Sequence, residues 1–95
     1  MQIMSTSLAD HELTDQLTEA EYTDRLKSLP PSAKLIVKVL ESDAPQSQGE
    51  LVESSLLPDR TVRYALNRLE ECQLVGSRYS YKDARKQVYF LTKSN

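Results

Sequence analysis

Apolar residues recur at helical spacing in the first third of the chain. Thr18 and Glu21 form a capping box, in which each side chain bonds the backbone N–H of the other residue at the start of a helix. Apolar side chains then return every three or four residues, at Tyr22, Leu26 and Leu29. This pattern predicts a helix over residues 19–28, which two prolines end. We expect residues 1–17, before it, to form a flexible segment.

A second apolar arc follows the two prolines. Pro31 suits the first turn of a helix. The next apolar positions are predicted to share one side of that helix, at Leu35, Ile36, Val39 and Leu40. We expect this helix to end near Ser42 and to contribute to the core. Residues 44–46 are short and include Pro45, as expected for a connector or a brief edge strand.

Two further helices are predicted to be joined by a tight turn. Ser47 and Glu50 form a second capping box, which opens a short helix ending at Ser55. Residues 56–58 separate it from a longer helix over residues 59–73. A short helix, a tight turn and a longer helix are the layout of a helix-turn-helix.

Strand-like segments replace the helical pattern after residue 73. Residues with high strand propensity flank Gly76 and the polar stretch at residues 81–86. We predict a two-stranded hairpin over residues 74–92, with a charged tip. The expected fold class is mainly α with a small β-hairpin. Its architecture is a winged helix-turn-helix with a three-helix core plus a wing.

Charge is unevenly distributed along the chain. The 95 residues carry a net charge of −2, with four basic and ten acidic residues in residues 1–57. Residues 58–95 contain eight basic and four acidic residues, a net charge of +4. The positive field that a nucleic-acid site needs is therefore confined to the predicted long helix and hairpin.

The predicted long helix has one apolar and one polar side. The apolar stripe must face the core and consists of Val62, Ala65, Leu66 and Leu69. The polar side consists of Arg60, Arg63, Tyr64 and Asn67, flanked by Thr61 and Arg68. Arginine can pair bidentately with guanine, asparagine pairs with adenine, and threonine can contact phosphate or a thymine methyl group. We predict that this side enters the major groove of double-stranded DNA.

The hairpin tip is the second predicted DNA contact. Its cationic and aromatic candidates are Arg78, Tyr81, Lys82, Arg85 and Lys86. Long cationic side chains on a projecting loop suit the narrow minor groove, where the negative potential is concentrated. We expect Asp83 to pair with a nearby arginine or to accept backbone N–H bonds, and so to hold Arg85 outward.

Two other interpretations stay open from the residues alone. The polar helix side and the hairpin tip can be solvated surface with no partner. The same fold can also serve as a protein–protein interaction module in a transcription or replication assembly, using the acidic first half of the chain. The interpretations differ in salt dependence, because DNA binding weakens steeply as the salt concentration rises.

Two strings of the sequence resemble the MarR-type winged-helix regulators. The first is LPDRTVRYALNRLE at residues 57–70. The second is DARKQVYFLT at residues 83–92, which carries that family's Asp-x-Arg wing signature with Leu-Thr a few residues on. The resemblance covers about residues 32–92. We expect a winged helix-turn-helix DNA-binding domain over residues 30–92 and a tail at residues 93–95. The resemblance also implies a repressor or activator that binds a palindromic operator as a dimer, with the wing arginine, here Arg85, in the minor groove.

The sequence departs from that family in two respects. Pro58 stands where the family commonly has a serine cap, and no long dimerisation helix follows Thr92. We therefore expect the homodimer contact to lie in the helix of residues 18–29. Its apolar side would be formed by Leu17, Tyr22, Leu26 and Leu29.

Few residues of the sequence are suited to catalysis or to binding a metal ion. His11 and Cys72 are the single histidine and cysteine, and the two glycines form no glycine-rich phosphate loop. We expect no enzymatic activity, cofactor or metal, and we interpret Cys72 as a small core residue rather than a redox switch. The single cysteine and the lack of an apolar span or targeting segment favour a cytoplasmic location.

Overall fold

Four helices and three short strands follow one another in the described part of the chain. The computed structural model describes residues 17–93. Its elements are α1 (Glu19–Lys27), α2 (Pro31–Ser42), β1 (Gln46–Ser47), α3 (Gln48–Ser55), α4 (Asp59–Glu71), β2 (Val75–Tyr79) and β3 (Gln87–Leu91). This order is that of a winged helix-turn-helix, with α3 and α4 as the helix pair and β2 and β3 as the wing. The segment predicted to be flexible lies outside the described residues, apart from Leu17.

Both predicted capping boxes are confirmed. The Thr18 hydroxyl accepts the backbone N–H of Glu21 at 3.1 Å, and the Glu21 carboxylate accepts the backbone N–H of Thr18 at 2.9 Å. Ser47 and Glu50 make the same exchange at the start of α3, at 3.2 and 2.8 Å. These hydrogen bonds satisfy backbone donors that have no partner within a helix, and they fix where α1 and α3 begin.

The core forms where α2 and α4 pack together, and α3 and the sheet close it. All four predicted apolar residues of α4 are buried, namely Val62, Ala65, Leu66 and Leu69. The buried side of α2 consists of Ala33, Ile36, Val37 and Leu40. The predicted arc on α2 is therefore corrected, because Leu35 is exposed and Val39 is only partly buried. The buried side of α2 is therefore centred nearer Val37 than Leu35, and the small Ala33 side chain lies on it.

The apolar side of α1 packs within its own chain. Tyr22 is 1% exposed, Leu29 is buried, and Leu17 and Leu26 pack against the same core. The Tyr22 hydroxyl donates to the backbone oxygen of Leu74 at 2.7 Å. Burial raises the pKa of Tyr22, with a smaller contribution from the charge of Glu41. The expectation that this side contacts a second copy is therefore corrected, since its residues already belong to the core.

The end of α4 comes two residues earlier than predicted. Gln73 has a φ of 63°, which a helix cannot continue. The backbone N–H of Leu74 bonds to the oxygen of Leu69 at 2.8 Å, and that of Gln73 bonds to the oxygen of Glu70 at 3.0 Å. This pair of bonds is a Schellman motif, which usually carries glycine at the left-handed position. A glutamine there left no signal for the helix end in the sequence.

The wing belongs to a three-stranded antiparallel sheet rather than a two-stranded hairpin. The strand order is β1, β3, β2, and Gln46 and Ser47 of β1 pair with Tyr89 and Val88 of β3. The alternative of a brief edge strand near residue 46 is thus confirmed. The β2–β3 pairing runs from Val75 opposite Leu91 to Tyr79 opposite Gln87. The extra strand ties the wing to the start of α3.

Lys93, assigned to the tail from the sequence, is held by α1 and α2. Its ammonium group lies 2.6 Å from the Glu41 carboxylate, 3.2 Å from that of Glu19 and 5.2 Å from the centre of the Tyr22 ring. The Lys93 side chain is 10% exposed. The hydrogen bond to Glu41 raises the pKa of Lys93 and lowers that of Glu41. These contacts attach the chain leaving β3 to the first two helices.

Candidate nucleic-acid interface

The polar side of α4 faces solvent. Burial of the apolar stripe orients the helix, so the residues on its opposite side cannot reach the core. All four predicted residues of that side are exposed, and the two flanking residues are partly buried. We call this surface the reading face: Arg60, Thr61, Arg63, Tyr64, Asn67 and Arg68. The prediction that these side chains point away from the core is confirmed.

Side chains of the reading face are paired with their neighbours. An Arg63 guanidinium nitrogen donates to the Asp59 carboxylate at 3.0 Å. The other oxygen of Asp59 accepts the side-chain amide of Gln48, the first residue of α3, at 2.9 Å. One carboxylate therefore joins the beginnings of α3 and α4.

The far end of the reading face carries a second arginine pair. Arg68 donates to the Tyr64 hydroxyl at 3.0 Å, and its guanidinium lies 5.9 Å from the centre of the Tyr64 ring. The hydrogen bond to Tyr64 raises the pKa of Arg68, and Glu71, at 3.7 Å, adds to this effect. Arg68 is thus held along the helix surface.

A carboxylate organises the wing tip, residues 78–86. Asp83 accepts the backbone N–H of Arg85 at 3.0 Å and the Nε–H of the same residue at 3.3 Å. The Arg85 side chain remains 91% exposed. Backbone hydrogen bonds from Ser80 to Lys86, at 2.7 Å, and from Lys86 to Asp83, at 2.9 Å, close the turn. The predicted role of Asp83 in holding Arg85 outward agrees with this geometry.

Aromatic and cationic side chains also meet where β2 enters the wing tip. The Arg78 guanidinium lies over the Tyr81 ring, 4.7 Å from its centre. Tyr81 is 92% exposed, and Lys82 beside it is exposed as well. Arg78 is therefore oriented by a cation–π contact, while Tyr81 presents its other ring face to solvent.

A cleft separates the wing tip from the start of α3. Gln48, Gly49, Glu50 and Glu53 line one wall, and Arg85, Lys86 and Gln87 line the other, with Ser47 and Tyr89 at the base. The ammonium group of Lys86 lies 3.9 Å from the Glu50 carboxylate across this cleft. The capping bond from Ser47 lowers the pKa of Glu50, and Lys86 lowers it further. The wing arginine, Arg85, therefore lines the same cleft as Gln48, which bonds Asp59.

Hydrogen bonds link Arg63 of the reading face to the cleft beside the wing tip. Arg63 bonds Asp59, Asp59 bonds Gln48, and Gln48 lines the cleft that Arg85 and Lys86 close. The sequence reasoning missed Gln48, because an uncharged residue in the first turn of a helix carries no charge signal. Its position directly after the capping residue Ser47 was the available indication, since helix N-termini commonly face phosphate.

Within residues 17–93, no three histidine, cysteine or acidic side chains are placed to hold a metal ion. None of the helices in that range has the length and apolar character needed to cross a bilayer. Cys72 is partly buried and packs against the core. His11 lies outside the described part of the chain.

Comparison with known proteins finds similarity in structure but not in sequence. Neither sequence models of protein families nor curated protein sequences match the chain. The fold matches BpsR of Bordetella bronchiseptica with a TM-score of 0.62 and 23% identity, over 70% of this chain and 50% of BpsR. The zinc-responsive MarR family member ZitR of Lactococcus lactis matches with a TM-score of 0.62 and 23% identity, over 68% of this chain and 44% of ZitR. This chain thus spans about half the length of each of these two proteins.

A third match is a complex with DNA. S. aureus MepR, solved with DNA, has a TM-score of 0.64 and 17% identity, over 95% of this chain and 72% of MepR. Identities this low establish the fold only. The described part of the chain is a winged helix-turn-helix of the kind seen in MarR-type transcriptional regulators.

Proposed function

We propose that this protein is a sequence-specific regulator of transcription that binds double-stranded DNA. In this proposal the reading face of α4 lies in the major groove and the wing tip lies in the adjacent minor groove. The observation that carries it is the hydrogen-bonded link from Arg63 through Asp59 to Gln48, which lines the same cleft as Arg85. A single duplex can contact both elements only if they share one side of the molecule.

The side chains of this surface have the chemistry that bases and phosphates require. Arg60, Arg63 and Asn67 are exposed and carry the donors that pair with guanine and adenine edges. Arg85 is extended from the wing by Asp83, which reduces the conformational entropy lost when a groove receives it. The similar structures support the same function, since MepR was solved with DNA and BpsR is described by its DNA binding.

In this proposal, two copies of the protein bind together to one operator. Helix-turn-helix dimers bind half-sites about 34 to 36 Å apart, so operator symmetry mirrors protein symmetry. Because α1 buries Tyr22 and Leu29 in its own core, the contact between copies uses another surface. Sedimentation of the full chain with a palindromic duplex is expected to give two protein molecules per duplex, and one molecule per duplex would contradict this part.

The direct test is charge reversal on the two contact elements. Arg63→Glu and Arg85→Glu are each expected to weaken binding to a duplex selected from a random pool by at least about tenfold, roughly 1.4 kcal/mol. Lys34→Glu makes the same charge change on α2, in the cleft toward α1, and serves as the control. It should change the affinity by less than about twofold.

Salt dependence separates DNA binding from protein binding. A surface that contacts about five phosphates should give a log–log slope near −4 to −5 for affinity against salt concentration. Wild-type protein without measurable duplex binding would favour the protein-interaction alternative. If the wild type binds and neither charge reversal weakens it, the proposed reading face and wing contacts are wrong.

A further inference from the structure

Asp59 places a negative charge within a surface proposed to meet a polyanion. Its carboxylate is the acidic group of the first turn of α4 and lies between Gln48 and Arg63. A carboxylate there opposes phosphate binding, because affinity for DNA depends on the positive charges that replace condensed counterions. We therefore ask what favourable effect of Asp59 offsets this loss of affinity for phosphate.

The ion pair with Arg63 contributes little to folding stability. The side chains of Asp59 and Arg63 are 59% and 64% exposed. Exposed ion pairs four residues apart on a helix contribute about 0.3 to 0.5 kcal/mol, and salt screens them. The hydrogen bond from Gln48 joins α3 to α4 at the surface, whereas the helices already pack through their buried sides.

The geometry of the pair suits base recognition instead. A guanidinium group has five N–H donors in a rigid plane, and the bond to Asp59 engages one nitrogen, Nη2. The remaining donors stay available for a guanine edge. Because one edge of the group is already held, Arg63 loses less conformational entropy on binding than a free arginine would.

The same carboxylate fixes Gln48 at the start of α3. Its two oxygens receive donors from two helices, so Arg63 and Gln48 have defined positions relative to each other. An arginine that is held in place reads one position of a duplex, whereas a mobile arginine can turn to any nearby phosphate. Holding the arginine favours discrimination between sequences over total affinity.

We propose that Asp59 is a positioning residue that sets the sequence specificity of this protein. It holds Arg63 and Gln48 in the orientation for base contact, and its charge disfavours binding to phosphates at other sequences. The inference rests on the proposed DNA-binding function. Within that function, one carboxylate sets how much more tightly the protein binds its specific sequence than unrelated sequences.

The experiment compares two duplexes of equal length, one selected from a random pool by the wild type and one unrelated. Asp59→Asn keeps the shape and removes the charge. It is expected to raise affinity for the unrelated duplex several-fold and to lower the ratio of specific to unrelated affinity by about tenfold. Asp24→Asn is the matched control, since it makes the same change at an exposed residue of α1, outside the proposed DNA surface. Its affinity ratio should stay within about twofold of wild type.

A double-mutant cycle tests whether Asp59 acts through Arg63. In the Arg63→Ala background, Asp59→Asn should change the affinity ratio by less than about twofold, because the group to be positioned is gone. Equal affinity gains on both duplexes in Asp59→Asn would reduce Asp59 to a general charge effect and overturn the inference. So would a wild type that binds DNA without preferring any sequence. A wild type that binds no DNA contradicts the proposed function itself.

Discussion

Phe90 packs its ring on Gly76, where the two strands of the wing pair. The two residues are direct partners in the β2–β3 register, and a Cβ atom at Gly76 would lie 2.8 Å from the ring atoms Cε1 and Cζ. Gly49 differs, because a Cβ there would have nothing within 4 Å. Gly76 therefore allows the Phe90 ring to pack closely, whereas no steric contact requires a glycine at position 49.

Substitution of these glycines should have effects of opposite sign. Gly76→Ala is expected to lower the free energy of unfolding by about 1 to 3 kcal/mol, because the Phe90 ring must move. Gly49→Ala is expected to raise it by up to about 1 kcal/mol, because alanine loses less backbone entropy in a helix. Urea denaturation followed by circular dichroism measures both. An unchanged stability for Gly76→Ala would mean that the ring turns aside without cost.

The exposed arginines should be dispensable for folding. Arg63 and Arg85 pair with carboxylates at the surface, where such pairs contribute little. Arg63→Ala and Arg85→Ala are expected to change the free energy of unfolding by less than about 0.5 kcal/mol. Thermal and urea unfolding check this, and a loss several times larger would show that the pairs support the fold.

At the scale of elements, capping boxes and prolines made the helix starts predictable from the sequence. The residues that fix α1 and α3 are local, since Thr18 with Glu21 and Ser47 with Glu50 are each three apart. The pairing of β1 with β3 was weakly predictable, because a strand of two residues has no alternation and its partner lies about forty residues away.

Periodicity also could not identify what covers the apolar side of α1. The spacing of Tyr22, Leu26 and Leu29 is the same whether the partner is a second copy or the core of the same chain. The exposed positions of α4 were predictable, since its buried stripe is regular. The bond between Gln48 and Asp59 was not, because it depends on how α3 and α4 are placed relative to each other.

One buried hydroxyl should contribute to the attachment of α1. Tyr22→Phe removes the hydrogen bond to the backbone oxygen of Leu74, which keeps a second bond from the N–H of Thr92 at 3.2 Å. Because that oxygen stays partnered, the expected loss in unfolding free energy is about 1 kcal/mol. Tyr79→Phe, at an exposed tyrosine of β2, is the control and should cost less than about 0.5 kcal/mol. Equal effects of the two variants would contradict the anchoring role.

At the scale of the whole molecule, acid should weaken the fold through three carboxyl groups. Hydrogen bonds from Thr18 and Ser47 lower the pKa of Glu21 and Glu50, and Lys93 lowers that of Glu41. A carboxyl whose pKa is lower in the folded state contributes stability above its unfolded pKa, here about 4.5, and loses that contribution as the pH falls through the folded pKa.

Unfolding free energy should therefore be level near neutral pH and fall steadily below about pH 4.5. The measurement is urea denaturation across that range. Glu41→Gln, which cannot ionise, should show a shallower fall than wild type. An identical pH profile for Glu41→Gln and wild type would mean that the contact with Lys93 does not contribute.

Intrinsic tyrosine fluorescence can report on both binding and unfolding of this protein. The sequence has no tryptophan and five tyrosines, so intrinsic fluorescence comes from tyrosine alone. Tyr64, Tyr79 and Tyr81 are exposed on α4 and the wing, whereas Tyr22 is enclosed by the core. Quenching by a bound partner and emission changes during melting should therefore arise from different rings, and both events can be followed in one cuvette without a dye.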